Sequence, residues 1–294
     1  MNGARPLSTA NPRIERAALV GARAHLGNDR AASARTLGWW FVAEHRLRTM
    51  RAYLWSILMG SIGSPFFYLF SLGVGLGALI DSNSGAKGVD GVNYITFVGP
   101  ALLASAAITS AYEELSFPVM GGFKWTREFW AMNATSITPG QIVVGVILAA
   151  FARVILTVTV FWAILAAFGA APSALSLLAV PATMLAGLAF GAPMMAFAAT
   201  LENDDGYFAM IGRFVIAPMF LFSGTFYPLT QLPTFLQAIG WVSPLWHATE
   251  LGRMLTYGRA EEPWLVVVHL GYLLVLSVVG LYLAFRVFAR RLSK

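Results

Sequence analysis

The chain has 294 residues, of which 57% are hydrophobic and 12% are charged, and its formal net charge at pH 7 is +6. A soluble domain has about one-quarter charged residues. The composition therefore excludes an ordinary water-soluble domain and favours a protein whose solvent is largely lipid. The chain contains no cysteine, which excludes disulfides, thiolate metal sites and cysteine nucleophiles.

The amino-terminal arm is strongly basic, with nine arginines before Tyr53. A basic segment directly before an apolar one is typical of the cytoplasmic face of a membrane rather than of nucleic-acid binding. Residues 1–34 have no regular apolar pattern and predict a disordered cytoplasmic tail. Residues 35–51 combine aromatic and basic side chains and predict an amphipathic helix in the membrane interface. The alternative is a polar extension of the first span.

Six apolar segments follow, and a helix needs about 20 apolar residues to cross a bilayer. The uncharged stretch 154–201 is too long for one helix, and the glycine and proline of 169–173 divide it. The sequence thus predicts an all-α membrane protein with spans at about 53–80, 93–117, 140–168, 174–200, 207–223 and 263–288.

The uncharged stretch 214–249 contains four prolines. One helix does not accommodate so many prolines, and the stretch is too short for two crossings with their turns. We therefore predict one crossing and then a re-entrant helical hairpin within 226–256, because irregular backbone at membrane depth needs protein or a water-filled cavity to satisfy it.

The distribution of basic residues predicts the orientation. Lysine and arginine concentrate in the amino-terminal arm, the 118–139 loop and the carboxy tail. The positive-inside rule places all three in the cytoplasm, which requires an even number of spans. We find no internal repeat, which disfavours the inverted-repeat transporter folds.

Three segments resemble a known family of membrane proteins. They are PFFYLF at 65–70, YITFVGP at 94–100, and FSGTFYP at 222–228 followed by QLP at 231–233 and SPLWH at 243–247. Over roughly 36–290 the chain resembles the permease subunit of type-2 ABC exporters, notably nodulation-factor export and daunorubicin-resistance permeases. The resemblance implies that residues 52–290 form the transmembrane domain of a permease in a bacterial cytoplasmic membrane.

The resemblance also implies a mechanism and partners. The permease would pair with a second copy or a related permease and with two ABC ATPase subunits. By alternating access it would export an amphipathic molecule, either a lipid-linked glycan or polysaccharide or a hydrophobic drug, from the cytoplasm or inner leaflet. The chain itself has no G-x-x-x-x-G-K-[ST] phosphate loop. ATP and Mg²⁺ are therefore expected on the partner ATPase, with no cofactor on this chain.

A polar loop at 118–139 separates the second and third spans. The simple interpretation is a cytoplasmic loop with interfacial aromatic residues. The resemblance implies instead a coupling helix seated in the ATPase, formed by Phe123, Lys124, Trp125, Thr126, Arg127 and Glu128.

Arg153 lies midway along the third predicted span. A lipid-facing charge at this depth costs a few kcal/mol, about 2.5–3.5 on insertion scales. We therefore expect Arg153 to face the interior, paired with a carboxylate or an anionic headgroup, with Glu113 or Glu114 as the favoured partner. The alternative for the two glutamates is simple exposure at the cytoplasmic interface.

The proline-rich region contains the residues predicted to form a structural cluster at an external gate. These are Tyr227, Pro228, Pro233, Pro244, His247, Glu250 and Arg253. His247 and Glu250 are too few for a metal site. His269 is expected to be a hydrogen-bonded packing residue, and the alternative is that it lines the pathway.

The sequence contains no recognisable catalytic pattern. The Ser–His–Asp, H-E-x-x-H and G-x-S-x-G patterns are all absent. We therefore predict no catalytic residues. Two other classes remain as alternatives. An integral membrane enzyme acting on lipid would need acid, base or metal groups at one membrane face, and an ion-coupled carrier would need more buried acids and a repeat.

Overall fold

The computed structural model describes residues 35–83, 88–203 and 205–293. Within these ranges the regular structure is helical, apart from one isolated antiparallel bridge between Val89 and Val92. The predicted tail 1–34 lies outside the described residues.

Thirteen α-helices make up this part of the chain, and two π-helical turns, Ser71–Gly77 and Gly212–Ile216, join α2 to α3 and α9 to α10. The helices are α1 (35–51), α2 (Leu54–Phe70), α3 (Ala78–Asn83), α4 (Tyr94–Leu115), α5 (Phe117–Lys124), α6 (Glu128–Asn133), α7 (Pro139–Ala167), α8 (Ala179–Ala198), α9 (Tyr207–Ile211), α10 (Ala217–Phe222), α11 (Thr234–Val242), α12 (Pro244–Tyr257) and α13 (Pro263–Leu292).

Five helical stretches among the described residues are long and apolar enough to cross a membrane, judged by length and composition. A sixth apolar stretch, Tyr207–Phe222, is shorter. The number of crossings therefore depends on this stretch. The five longer ones are Leu54–Ile80, Tyr94–Lys124, Pro139–Ala167, Ser176–Ala198 and Pro263–Leu292.

Several prolines mark the places where helices begin. Pro139, Pro244 and Pro263 each occupy the first position of a helix, where the missing N–H costs nothing. The Thr138 hydroxyl caps α7 by accepting from the Gln141 amide at 3.3 Å, and the Gln141 side chain accepts from the Thr138 amide. Proline thus separates α11 from α12 at the position where the sequence predicts irregular backbone.

Helix α4 lies at the centre of the bundle, between α7, α8 and α12. Small residues permit its close contact with α8. A Cβ on Gly187 would lie 3.1 Å from the Ala107 carbonyl oxygen, and one on Gly191 would lie 2.8 Å from Leu115. Helices α2 and α13 are the least buried of the long helices, so their outer faces are available to lipid or to another subunit.

The bundle has two distinct ends. At the first, which we call the α1 end, α1 packs on the start of α7, and Gln141 Nε2 donates to the Arg35 carbonyl at 2.9 Å. Arg291 near the end of α13 reaches the Leu201 carbonyl beyond α8 at 2.9 Å. At the other, the α12 end, α12 contacts α4, α8 and α13.

Candidate functional site

A cavity of about 580 Å³ opens between α2, α4, α7 and the α9–α10 segment. Hydroxyl groups from three of these helices contribute to its wall, and aromatic side chains contribute on α2, α7 and α10. Its charged lining residues are Glu113 and Arg153. A cavity with such polar lining among apolar helices is a candidate binding site or pathway.

Arg153 joins α7 to the last turns of α4. Its Nη1 donates to Glu114 Oε1 at 2.5 Å, and its Nη2 donates to Glu113. The pairing expected from the sequence is therefore present, and it involves both carboxylates rather than one. The side chain of Glu114 is 8% exposed, whereas that of Glu113 is 48% exposed. Glu113 lines the cavity and remains accessible, whereas Glu114 is buried and does not line it.

Two buried polar atoms of the cavity-lining residues have no hydrogen-bond partner within the described residues. They are Ser110 Oγ and Arg153 Nε. Buried polar groups in folded proteins are normally satisfied. Both atoms can therefore form a further hydrogen bond, and both lie at or beside the Arg153 guanidinium.

A second arginine, Arg253 of α12, is completely buried. Its guanidinium donates to Glu250 at 2.9 Å, to the Gly224 carbonyl at 2.6 Å and to the Phe97 carbonyl at 3.3 Å. It also lies 3.8 Å from the centroid of the Phe97 ring. This residue connects α12 to the start of α4 and to the loop after α10.

Arg259 extends the Arg253 network into the loop after α12. It donates to the second oxygen of Glu250 and lies 3.5 Å from Asp90. Burial alone would lower the pKa of Arg259, but the carboxylates of Glu250 and Asp90 outweigh it and raise this pKa. Burial raises the pKa of the neighbouring Glu261 carboxyl, and the Glu250 charge raises it further. Arg259 thus connects Asp90 to Glu250 of α12 through ion pairs.

His247 does not join Glu250 and Arg253, although the sequence predicts one cluster. Its side chain contacts α13 instead, where its Nδ1 is 2.8 Å from His269 Nδ1. Its Nε2 is 3.0 Å from the Trp241 carbonyl, and a carbonyl only accepts, so this nitrogen carries the proton. In a neutral pair, His269 therefore donates to His247. His269 is a hydrogen-bonded packing residue, as expected.

The other predicted gate residues shape the backbone between α10 and α12. The Tyr227 hydroxyl donates to the Leu221 carbonyl at 3.1 Å. Pro228 precedes a short 3₁₀ turn, Pro233 precedes α11 and Pro244 begins α12. The structure therefore divides the predicted gate into three parts: a turn-rich segment, the buried Arg253–Glu250 network and the His247–His269 pair.

The predicted coupling residues do not form one helix, so this expectation is wrong in its local structure. Phe123 and Lys124 end α5, Trp125 to Arg127 form a turn, and Glu128 begins α6. Arg127 interrupts the helix because its φ is +52°, in the left-handed region. The exposed part of the segment is Trp125, Thr126 and Arg127.

Contacts at both ends of this turn connect it to other helices. Phe123 is buried against Phe288 of α13, with ring centroids 4.9 Å apart. Glu128 pairs with Arg46 of α1 at 3.3 Å. The Arg291 guanidinium lies 4.3 Å from the Phe123 ring centroid. Sequence reasoning missed Arg46 and Arg291, because neither belongs to a motif and both act across large separations in the chain.

Together, the fold and the cavity define a multi-pass α-helical membrane protein with an internal paired charge. Residues 39–257 match the model of the ABC-2 type transporter family. The chain therefore belongs to this family and is a membrane permease subunit of an ABC transporter.

Similar proteins support this assignment. Nodulation protein J of Rhizobium leguminosarum bv. viciae is 31% identical over 258 residues, covering 88% of this chain and 96% of that protein. Nodulation protein J of Rhizobium meliloti (strain 1021) is 32% identical, covering 87% and 95%. The inner membrane transport permease YadH of Escherichia coli (strain K12) is 25% identical, covering 70% and 76%.

Proposed function

We propose that this permease exports an amphipathic molecule from the cytoplasm or the inner leaflet by alternating access. It would work with two ABC ATPase subunits, which bind ATP and Mg²⁺, and with a second permease copy or a related permease. The polar cavity with Arg153 among apolar helices carries the proposal, because a charge within a membrane protein marks a pathway by default. The cargo would be a lipid-linked glycan or polysaccharide, or a hydrophobic drug.

In this proposal the chain crosses the bacterial cytoplasmic membrane six times, with both termini in the cytoplasm. Exposed arginines at the α1 end, such as Arg48, Arg51 and Arg290, support a cytoplasmic location for that end. Arg253 and Arg259 at the α12 end are paired with carboxylates. Tyr207–Phe222 would be the fifth span, and α11 with α12 would form the re-entrant hairpin.

Helix α1 would lie in the cytoplasmic interface. One face packs on α7, whereas Leu37, Trp40 and Phe41 are exposed on the other. Aromatic side chains favour the headgroup region, where their rings contact both lipid and water. The exposed basic residues of the same helix would meet anionic lipids.

The turn Trp125–Arg127 would be the contact with the ATPase. Trp125 is 54% exposed, while Phe123 and Glu128 on either side contact α13 and α1. If the ATPase moved this turn, α1 and α13 would therefore be displaced with it, because both pack against its ends.

Co-purification with the ATPase tests the function directly. The permease would be co-expressed with an ABC ATPase from the same genome and reconstituted in liposomes. We expect the ATPase to co-purify and its ATP turnover to rise with the transported cargo. Trp125→Ala should weaken co-purification, whereas Phe235→Ala, an exposed aromatic on α11, should not. No associated ATPase and no stimulated turnover with any ABC ATPase of that genome would contradict the proposal.

A further inference from the structure

We propose that the cavity beside Arg153 binds the cationic group of an amphiphile, such as an amine or quaternary ammonium, and discriminates against phosphate headgroups. Describing the bound molecule as cargo rests on the function proposed above. Recognition of the cation itself follows from the charges, hydroxyl groups and aromatic rings of this cavity.

The charge balance at the cavity is negative. One guanidinium, Arg153, is shared by two carboxylates, Glu113 and Glu114. The other residues that line the cavity are uncharged, and Arg213 follows the lining residue Gly212 but does not itself line the cavity. One positive charge does not neutralise two negative ones, and an uncompensated charge among apolar helices is costly. A ligand cation at Glu113 would neutralise the excess negative charge, whereas a phosphate would add to it.

The accessible carboxylate lies at the end of a polar stripe. Ser105, Thr109 and Glu113 follow each other at intervals of four residues, which places them on one face of α4, and all three line the cavity. Ser110 beside them is only 4% exposed, and its Oγ has no partner within the described residues. A hydroxyl both donates and accepts, so Ser110 supplies an acceptor for an N–H group next to the carboxylate.

Aromatic side chains line the cavity on the other side. Tyr68 and Phe220 contact each other with ring centroids 6.3 Å apart, and Phe161 lines the same space. The lining of α4 runs from Leu102 to Glu113, a distance of about 16 Å along the helix axis. The cavity therefore offers a carboxylate for a cationic head and apolar rings for the remainder of an amphiphile.

Binding of matched probes tests this inference without the ATPase. The full-length permease in nanodiscs of neutral lipid would be titrated with dodecylammonium and with dodecyl phosphate, which have the same alkyl chain. Partition into empty nanodiscs would be subtracted. We expect saturable binding of dodecylammonium at least about tenfold tighter than that of dodecyl phosphate.

Variants assign the preference to this cavity. Glu113→Gln should remove most of the preference for dodecylammonium, and Glu113→Asp should retain it. Glu44→Gln serves as the matched control, because Glu44 pairs with Arg48 on α1 and does not line the cavity. A thermal midpoint equal to that of wild type shows that a variant is folded.

Equal or tighter binding of dodecyl phosphate to the wild-type protein would overturn the inference, whether or not any variant folds. An undiminished preference in folded Glu113→Gln would also overturn it. Neither result affects co-purification of the ATPase, and a failure of co-purification does not affect probe binding. The two proposals therefore fail separately.

Discussion

Arg153 and Arg253 differ in how many of their hydrogen-bond donors find a partner within the protein. Arg253 is fully buried, and its three donor positions bind Glu250 and the carbonyls of Gly224 and Phe97. The side chain of Arg153 is 20% exposed and lines the cavity. Its Nε has no hydrogen-bond partner among the described residues. Arg253 therefore holds the backbone around it in place, whereas Arg153 positions the accessible Glu113 carboxylate beside an open cavity.

The positions of the two arginine networks support the same distinction. Both networks include residues of α4, Phe97 near its start and Glu113 near its end. These two positions are separated by about 24 Å along the helix. Arg253 fixes the α12 end of α4, and Arg153 connects the opposite end to α7. We therefore expect changes at Arg253 to affect stability first and changes at Arg153 to affect transport first.

Arg253→Ala should have the largest effect on stability. The substitution leaves Glu250 with Arg259 alone and removes the guanidinium bonds to the Gly224 and Phe97 carbonyls. Breaking a buried ion pair costs about 3–5 kcal/mol. We expect a large fall in the thermal midpoint of the purified permease, measured by fluorescence-detected size exclusion.

Arg48→Ala is the matched control for this change. Arg48 pairs with Glu44 at 2.6 Å, but its side chain is 78% exposed, and such surface pairs contribute about 0.3–0.5 kcal/mol. Equal thermal midpoints for Arg253→Ala and Arg48→Ala would show that the buried network is not structural.

Arg153→Ala should mainly reduce export. Without the guanidinium, the carboxylates of Glu113 and Glu114 lose their shared partner, although the 48% exposure of Glu113 limits the cost to stability. We expect a rate of export at least about tenfold lower, which corresponds to 1.4 kcal/mol, with a smaller fall in thermal midpoint than for Arg253→Ala. Transport in inverted vesicles measures the rate. Full transport at normal expression would reject a role for Arg153.

Arg259→Ala should have the smallest effect of the three. Its side chain is 29% exposed, and Glu250 keeps its bond to Arg253. We expect a loss of about 1 kcal/mol in unfolding free energy. Denaturant titration of the purified protein measures this value. A loss as large as that of Arg253→Ala would mean that the loop, rather than the buried pair, fixes α12.

The sequence predicts much of this molecule because hydrophobicity and proline act locally. Uncharged apolar segments form helices, and Pro244 separates α11 from α12. Both effects depend on residues close in the sequence, so they can be read from it. Arg153 was expected to pair with Glu113 or Glu114 because an intramembrane charge requires a partner.

Tertiary packing determines the features that the sequence did not predict. His247 contacts His269 of α13 rather than Glu250, and the sequence does not show which helix packs beside it. Arg127 interrupts the predicted coupling helix through a left-handed backbone conformation that most residues avoid. The sequence also gave no indication of the aromatic contact of Arg291 with Phe123.

In the proposed topology the Arg153 and Arg253 networks lie towards opposite faces of the membrane, and Tyr207–Phe222 crosses from one face to the other. Because the natural chain has no cysteine, Ala134→Cys and Gln231→Cys can be labelled singly with a membrane-impermeant maleimide. We predict that intact cells label Gln231→Cys, at the α12 end, and that Ala134→Cys, at the α1 end, reacts only after permeabilisation. Labelling of both positions from the same side would contradict this topology.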